Sequence, residues 1–219
     1  MSLWEENKAR RRAQILTAAR ELIGEGGMNA LTMRKLGERA KVSVRTIYNL
    51  MGSQSDILRA VIAKPMSDML DAVGTVPQNA PIEKLDAIVS VSIGQFVRQP
   101  KVLRAAVAAS YHLPGYNWHD WVKSQAMPLF TECVEEAIRD DLLTDQLSPE
   151  ILAENIFHAT NKAFTDWTQG TTSDANLRVQ AMSALYLPLL GVATDKSRPR
   201  ILERLKSLDN LRATQARAA

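Results

Sequence analysis

Cysteine is almost absent from this 219-residue chain. The single Cys133 excludes an internal disulfide and any cysteine-based zinc site, and it fits a reducing cytoplasm. No run of 18 uncharged apolar residues occurs, so no membrane-spanning helix is expected, and Met1 to Arg20 lacks the apolar core of a signal peptide. Alternating stretches that would make a convincing strand are missing, as are internal repeats. So are an activated nucleophile, a phosphate loop and paired catalytic carboxylates. Glu135-Glu136 and Asp140-Asp141 are neighbouring acids on a helix and its end, which is how solvated surfaces look. These absences predict an all-α, soluble, cytoplasmic protein that is not an enzyme and needs no cofactor, metal or membrane.

What is present is enough for a real core, since 46% of the residues are hydrophobic. The net charge of +3 is modest, but its distribution is uneven. Residues 1–60 carry 11 basic and 6 acidic groups (+5), residues 61–195 carry 9 and 16 (−7), and residues 196–219 carry 7 and 2 (+5). A basic head on an acidic body implies that only the head meets a polyanion.

Within that head, Leu31 to Leu58 reads as two short helices, a tight turn and the start of a third helix. Met33, Leu36 and Ala40 share one face, with Thr32 as N-cap. After the turn at Lys41-Val42-Ser43, Ser43 is placed to cap a very short second helix. There Ile47 and Leu50 face the first helix, leaving Val44, Arg45, Thr46, Tyr48 and Asn49 to point outward. Arg suits guanine edges, Asn suits adenine, and hydroxyls serve phosphates or bases, so this is the arrangement of a helix-turn-helix whose second helix enters the major groove. An ordinary helical hairpin with a polar outer face is the alternative for the pair taken alone. Thr32, Arg34, Ser43, Val44, Arg45, Thr46, Tyr48 and Asn49 are the expected DNA-facing residues.

Ser43 with Thr46-Ile47-Tyr48, then Ser53 and Ile57-Leu58, resembles the signature of the tetracycline-repressor (TetR) family of bacterial transcription regulators. Ile15-Leu16-Thr17-Ala18-Ala19, Gly26-Gly27 and Thr32 resemble it too. The resemblance covers about the first quarter of the chain. Lys41 and Arg45 stand where that family usually has Gly, Met51 where it has an aromatic, and Gln54 where it has a phosphate-binding Lys. A residue other than Gly at position 41 would be strained if its φ were positive.

In chain order, Met1 to Lys8 is expected to be a frayed arm, and Lys8, Arg10, Arg11 and Arg12 either reach DNA or form a solvated helix start. A helix from Arg10 to about Glu25 closes the helix-turn-helix core and ends at Gly24, Gly26 and Gly27. Ser53-Gln54-Ser55-Asp56 is a capping box with Asp for Glu, opening a helix towards Val73 that Pro65 is expected to kink. Gly74 to Pro81 is a break. Helices follow at about 82–98, 101–110, 118–139, 149–169, 174–193 and 198–213, with Pro128 and Pro188 inside two of them.

The body offers three candidate features. The stretch 111–121 holds two of the four Trp and two of the three His, forming either a pocket wall or a packed loop. His112, His119 and Asp120 lack metal-ligand spacing. Asn155, His158 and Lys162 form a polar line on an apolar helix, which calls for a ligand or a twofold copy of the same helix. Met66, Met69, Phe96, Phe130 and Cys133 read as core or pocket lining. The expected effector contacts are Met66, Phe96, Tyr111, His112, Trp118, Trp121, Phe130, Asn155, His158 and Lys162.

The resemblance therefore implies an all-α protein with a three-helix DNA-binding domain at 1–52 and a helical-bundle ligand-binding and dimerisation domain at 53–219. It would act as a homodimer through the helices near 149–169 and 174–193, on a palindromic double-stranded DNA operator released by a small, mostly apolar effector. The rival readings are a helical enzyme or carrier using the 111–121 cluster, and a pocketless DNA-organising adaptor.

Overall fold

The computed structural model describes residues 2–77, 79–109 and 117–218, excepting the side chains at 64–66, 68–70, 72, 73, 216 and 218. Among these residues the chain forms ten α-helices joined by turns, with one 3₁₀ turn at Gly27–Ala30 and one isolated antiparallel bridge between Leu143 and Ala193. The helices are α1 (Leu3–Gly26), α2 (Met33–Ala40), α3 (Val44–Met51), α4 (Gln54–Gly74), α5 (Pro81–Arg98), α6 (Pro100–Ala109), α7 (Trp118–Arg139), α8 (Pro149–Thr168), α9 (Asp174–Gly191) and α10 (Arg198–Ala218). They fall into two compact units. The first holds Met1–Ser67 and Gln99–His119, and the second holds Asp68–Arg98 and Asp120–Ala219, so α4 and α7 each contribute to both.

In the first unit, Ile15, Ala19, Leu22 and Ile23 of α1 are buried, as are Leu36 and Ala40 of α2, Ile47 and Met51 of α3, and Leu58, Val61 and Ile62 of α4. The start of α1 differs from expectation. In place of a frayed arm, the helix begins at Leu3, because Ser2 and Glu5 form a capping box: the Glu5 amide donates to Ser2 Oγ at 3.3 Å and the Ser2 amide to Glu5 Oε2 at 2.8 Å. Glu5 and Glu6 in the first turn also oppose the positive end of the helix dipole. A second difference is α6, which packs on α1 and the 3₁₀ turn, with Leu103 and Ala106 buried. Sequence periodicity shows that α6 has an apolar face; it does not say which partner that face meets.

The second unit is built around α9, against which α8, α10 and α5 all pack. Leu177, Ala181, Leu185 and Leu189 of α9 are buried. Ser148 caps α8 and Pro149 occupies its first turn, where a missing N–H is harmless. Pro128 and Pro188 sit within α7 and α9 without ending them. The ammonium of Lys84 on α5 lies 2.8 Å from Glu136 on α7, both largely shielded from water, so removing Lys84 would leave the Glu136 carboxylate a poorly compensated charge.

Candidate nucleic-acid interface

The α2–turn–α3 element is specified residue by residue. Thr32 caps α2, its Oγ1 accepting from the Lys35 amide at 3.2 Å. The exit from α2 is a Schellman arrangement: the Lys41 amide donates to Glu38 O at 3.4 Å and the Val42 amide to Gly37 O at 3.0 Å. Lys41 sits in the left-handed region at φ 52° and ψ 42°, the strain anticipated for a residue other than glycine there. Gly37 permits the turn to fold back, since a Cβ at that position would lie 2.9 Å from Val42 O. Lys41→Gly is expected to stabilise the protein by about 0.5 kcal/mol, the net of relieved left-handed strain of roughly 1–2 kcal/mol and the added unfolded-state entropy of glycine. Urea unfolding checks this; a lower midpoint would contradict it.

Ser43 caps α3, its Oγ accepting from the Thr46 amide at 3.0 Å while sharing a hydrogen bond with Thr46 Oγ1 at 2.8 Å. Ile47 is fully buried and Met51 nearly so, which anchors one face. Leu50, expected to point inward beside Ile47, is only half-buried: Met51, one turn beyond Ile47, takes the inner position. The opposite face carries exposed Val44, Arg45, Tyr48 and Asn49, with Thr46 half-buried beside its cap. Arg34 of α2 is exposed as well, resting against Glu38 at 3.1 Å.

Three contacts hold this element in place. Arg39 of α2 forks onto Glu25 of α1 at 2.8 and 2.9 Å and reaches Glu21 at 3.3 Å; its hydrogen bond holds the Glu25 carboxyl below the ordinary range. Gln54, the departure from the family pattern noted above, turns its amide to donate to the carbonyl of Leu31. The third is the start of α4, where the Ser53 amide donates to Asp56 Oδ2 at 2.9 Å and the Asp56 amide to Ser53 Oγ at 3.2 Å. Hydrogen bonds from the Ser53 side chain and then its backbone hold the Asp56 carboxyl below its usual range. That cap is therefore in force above the unfolded carboxylate pKa and is lost as pH falls through the depressed one.

Of the expected effector contacts, Tyr111, His112 and the side chain of Met66 lie outside the described residues, as does that of Met69. Phe96 packs on Phe164 and Trp167, at ring-centroid distances of 4.5 and 5.8 Å, and Phe130 lies 6.4 Å from Phe157, all within the second unit. Trp118 and Trp121 are half-buried and belong to the first and second units respectively. Asn155, His158 and Lys162 do share a line on α8, but the line faces solvent, because Leu152, Ile156, Phe157, Phe164 and Trp167 occupy the inner side. Lys162 is bound to both oxygens of Asp166, at 2.6 and 2.7 Å, and His158 Nε2 lies 3.5 Å from Glu154 Oε1. Cys133 is buried, which pushes its thiol up to about 11.

Sequence reading missed a cleft of about 490 Å³ bordered by α5, α9 and α10, with Ile82, Asp86, Tyr186 and Arg204 in its wall. Tyr186 Oη and Arg204 Nη2 both donate to Asp86 Oδ2 at 2.6 Å, and burial pushes the Tyr186 hydroxyl up to about 12. These residues are 100 and 118 positions from Asp86 in sequence, so no local pattern joins them. Arg12, read only as part of a basic run, donates from Nη1 to Leu50 O at 2.7 Å; its spacing before Ile15 on the core-facing side of α1 was the available signal. No helix among the described residues is long and apolar enough to cross a membrane.

Residues 15–61 match the sequence profile of the family described as bacterial regulatory proteins, tetR family. Over 100 residues the chain is 32% identical to the HTH-type transcriptional repressor KstR of Rhodococcus jostii (strain RHA1), a match taking in 45% of this chain and 47% of that repressor. The matched stretch thus spans about half the length of that relative. The fold is similar to that of SmeT, the repressor of the Stenotrophomonas maltophilia multidrug efflux pump SmeDEF, with a TM-score of 0.67 at 18% identity over 84% of this chain and 91% of that one. It is also similar to the SmeT–triclosan complex, with a TM-score of 0.62 at 17% identity over 85% and 93%.

Proposed function

We propose that this chain, which belongs to the TetR family, regulates transcription by binding a double-stranded DNA operator through α3. The observation that carries this reading is one short helix, capped by Ser43 and anchored by buried Ile47 and Met51, whose other face offers Arg45, Tyr48 and Asn49 to solvent. An arginine and an asparagine on an exposed helix of this motif suit guanine and adenine edges in the major groove. Val44 adds a methyl-bearing contact, and Ser43, Thr32 and Arg34 lie at helix starts where phosphate contacts are made. Passing random-sequence DNA over the purified protein and sequencing what is retained tests the reading. Enrichment of a short inverted repeat supports it; retention of DNA without sequence preference would favour the DNA-organising adaptor, and retention of none would return the helical enzyme or carrier to first place.

The finer reading is a cytoplasmic homodimeric repressor without catalytic activity, whose reading head is residues 1–52 and whose remaining helices bind a small, mostly apolar effector. SmeT in complex with triclosan supports the effector by analogy of fold. Lys162, which gave some reason to expect a carboxylate, is already neutralised by Asp166. An effector that releases DNA must bind less tightly to the DNA-bound protein by the same factor, about 5- to 150-fold for typical couplings. Equal effector affinity with and without saturating operator would reject the switch and leave DNA binding intact.

A further inference from the structure

We propose that the first turns of α1 form a second DNA-contacting element, in which Lys8 and Arg11 bind backbone phosphates beside the half-site read by α3. The inference rests on the DNA-binding reading above and adds a surface to it. α1 begins at Leu3, whereas its first buried residue and the first residue of the family match are both Ile15. About three helical turns therefore project past the core. Every residue from 3 to 14 is exposed, including Leu3 at 80% and Trp4 at 70%. An amphipathic helix normally ends its apolar stripe where its packing ends, so this projection needs another explanation.

Its position supplies one. Trp4, Lys8 and Arg12 recur every four residues and so share a face, and Arg11 lies one turn above Lys8 on the same side. Arg12 Nη1 donates to Leu50 O at 2.7 Å, binding a carbonyl in the last turn of α3, where the negative end of that helix favours a cation. The stripe is thus pinned beside the helix that presents Arg45, Tyr48 and Asn49. The ammonium of Lys8 lies 5.2 Å from the centre of the Trp4 ring, a cation–π contact on the same stripe. From Lys8 to Arg12 the chain carries four cations and no acid, while Arg10 is occupied by Asn7 at 3.0 Å and Arg12 by α3. Among the described residues Lys8, held only by the weak ring contact of exposed Trp4, and Arg11 are the two cations of the stripe without an oxygen partner, and these are the two proposed to meet a polyanion. A duplex backbone, uniform in charge and adjacent to any site that α3 occupies, is the occupant this chemistry fits.

The test uses the full chain, the duplex enriched from random DNA, and the double variant Lys8→Ala with Arg11→Ala. Both side chains are exposed and alanine favours helix, so the fold is retained; circular dichroism confirms it. Binding is measured over a series of sodium chloride concentrations. The slope of log affinity against log salt is expected to become shallower by about 0.9 per lost phosphate contact, about 1.8 for each bound protomer. The ranking of single-base changes within the half-site is expected to stay as in the unaltered protein. An unchanged slope, or a changed ranking, overturns the proposal. Altered sedimentation of the DNA-free variant would also overturn it, because the stripe would then be a contact between copies of the chain. If the unaltered protein enriches no duplex at all, the DNA-binding reading itself falls, and this result is separable from failure of the arm alone.

Discussion

Replacing Ile151 and Leu187 together by Glu is expected to give a folded monomer whose operator affinity is lower by roughly two to four orders of magnitude, the size of the bivalent advantage that linked sites confer. The two side chains are 60% and 58% exposed, on helices α8 and α9 that pack side by side. On α8, Ile151 begins a row that continues through Asn155, His158 and Lys162. On α9, Leu187 lies between the small residues Ala184 and Gly191, which allow a neighbouring backbone to come close. A twofold axis through this pair of rows would set each against its own copy, as self-complementary interfaces require. Because both positions are exposed in the single chain, Glu costs little there unless a partner covers them. Sedimentation checks the first half of the result and operator titration the second. A variant that remains dimeric, or an unaltered protein that is monomeric at micromolar concentration, would contradict this interface.

This surface is narrower than the sequence implies. The apolar side chains of α8 and α9 exceed what one helix face needs: Ile151, Leu152, Ile156, Phe157, Phe164 and Trp167, then Leu185, Leu187, Leu189 and Leu190, which together predict burial between copies. The single chain itself buries Leu152, Ile156, Phe157, Phe164, Trp167, Leu185 and Leu189, because α9 is surrounded by α8, α5 and α10 and so needs apolar residues on several sides, which leaves Ile151 and Leu187 exposed and Leu190 half-buried. Local patterns did place what local physics decides. The Ser53–Asp56 box, the Ser148-Pro149 start of α8 and the break between Gly74 and Pro81 all fall where side-chain capping and the missing proline N–H require. The start of α1 is equally legible in the Ser2–Glu5 spacing of a capping box, although the charged run behind it has no apolar face that would mark a packed helix. The packing of α6 on α1, the Asp86–Tyr186–Arg204 contact and the inward turn of Gln54 are decided by residues distant in sequence, which a period of 3.6 does not encode.

Arg45→Ala is expected to weaken binding to the enriched operator by about 1–3 kcal/mol per half-site, roughly 5- to 150-fold, and to relax preference at one base position in each half. Arg45 is exposed on the outer face of α3, and among the described residues it makes no ion pair, so its guanidinium is available to a guanine edge. The substitution touches nothing that holds α3 in place, because Ser43 caps the helix and Ile47 and Met51 anchor it. A loss of affinity therefore reports recognition and leaves stability unchanged. Tyr48→Phe separates base reading from phosphate binding on the same helix. Tyr48 is 54% exposed, and loss of its hydroxyl is expected to weaken every duplex alike without changing base preference. Titrating both variants against the operator and against duplexes altered one base at a time gives the comparison. If Arg45→Ala binds every duplex as the unaltered protein does, base reading by Arg45 is rejected, and Asn49 and Val44 become the residues that must account for any sequence preference.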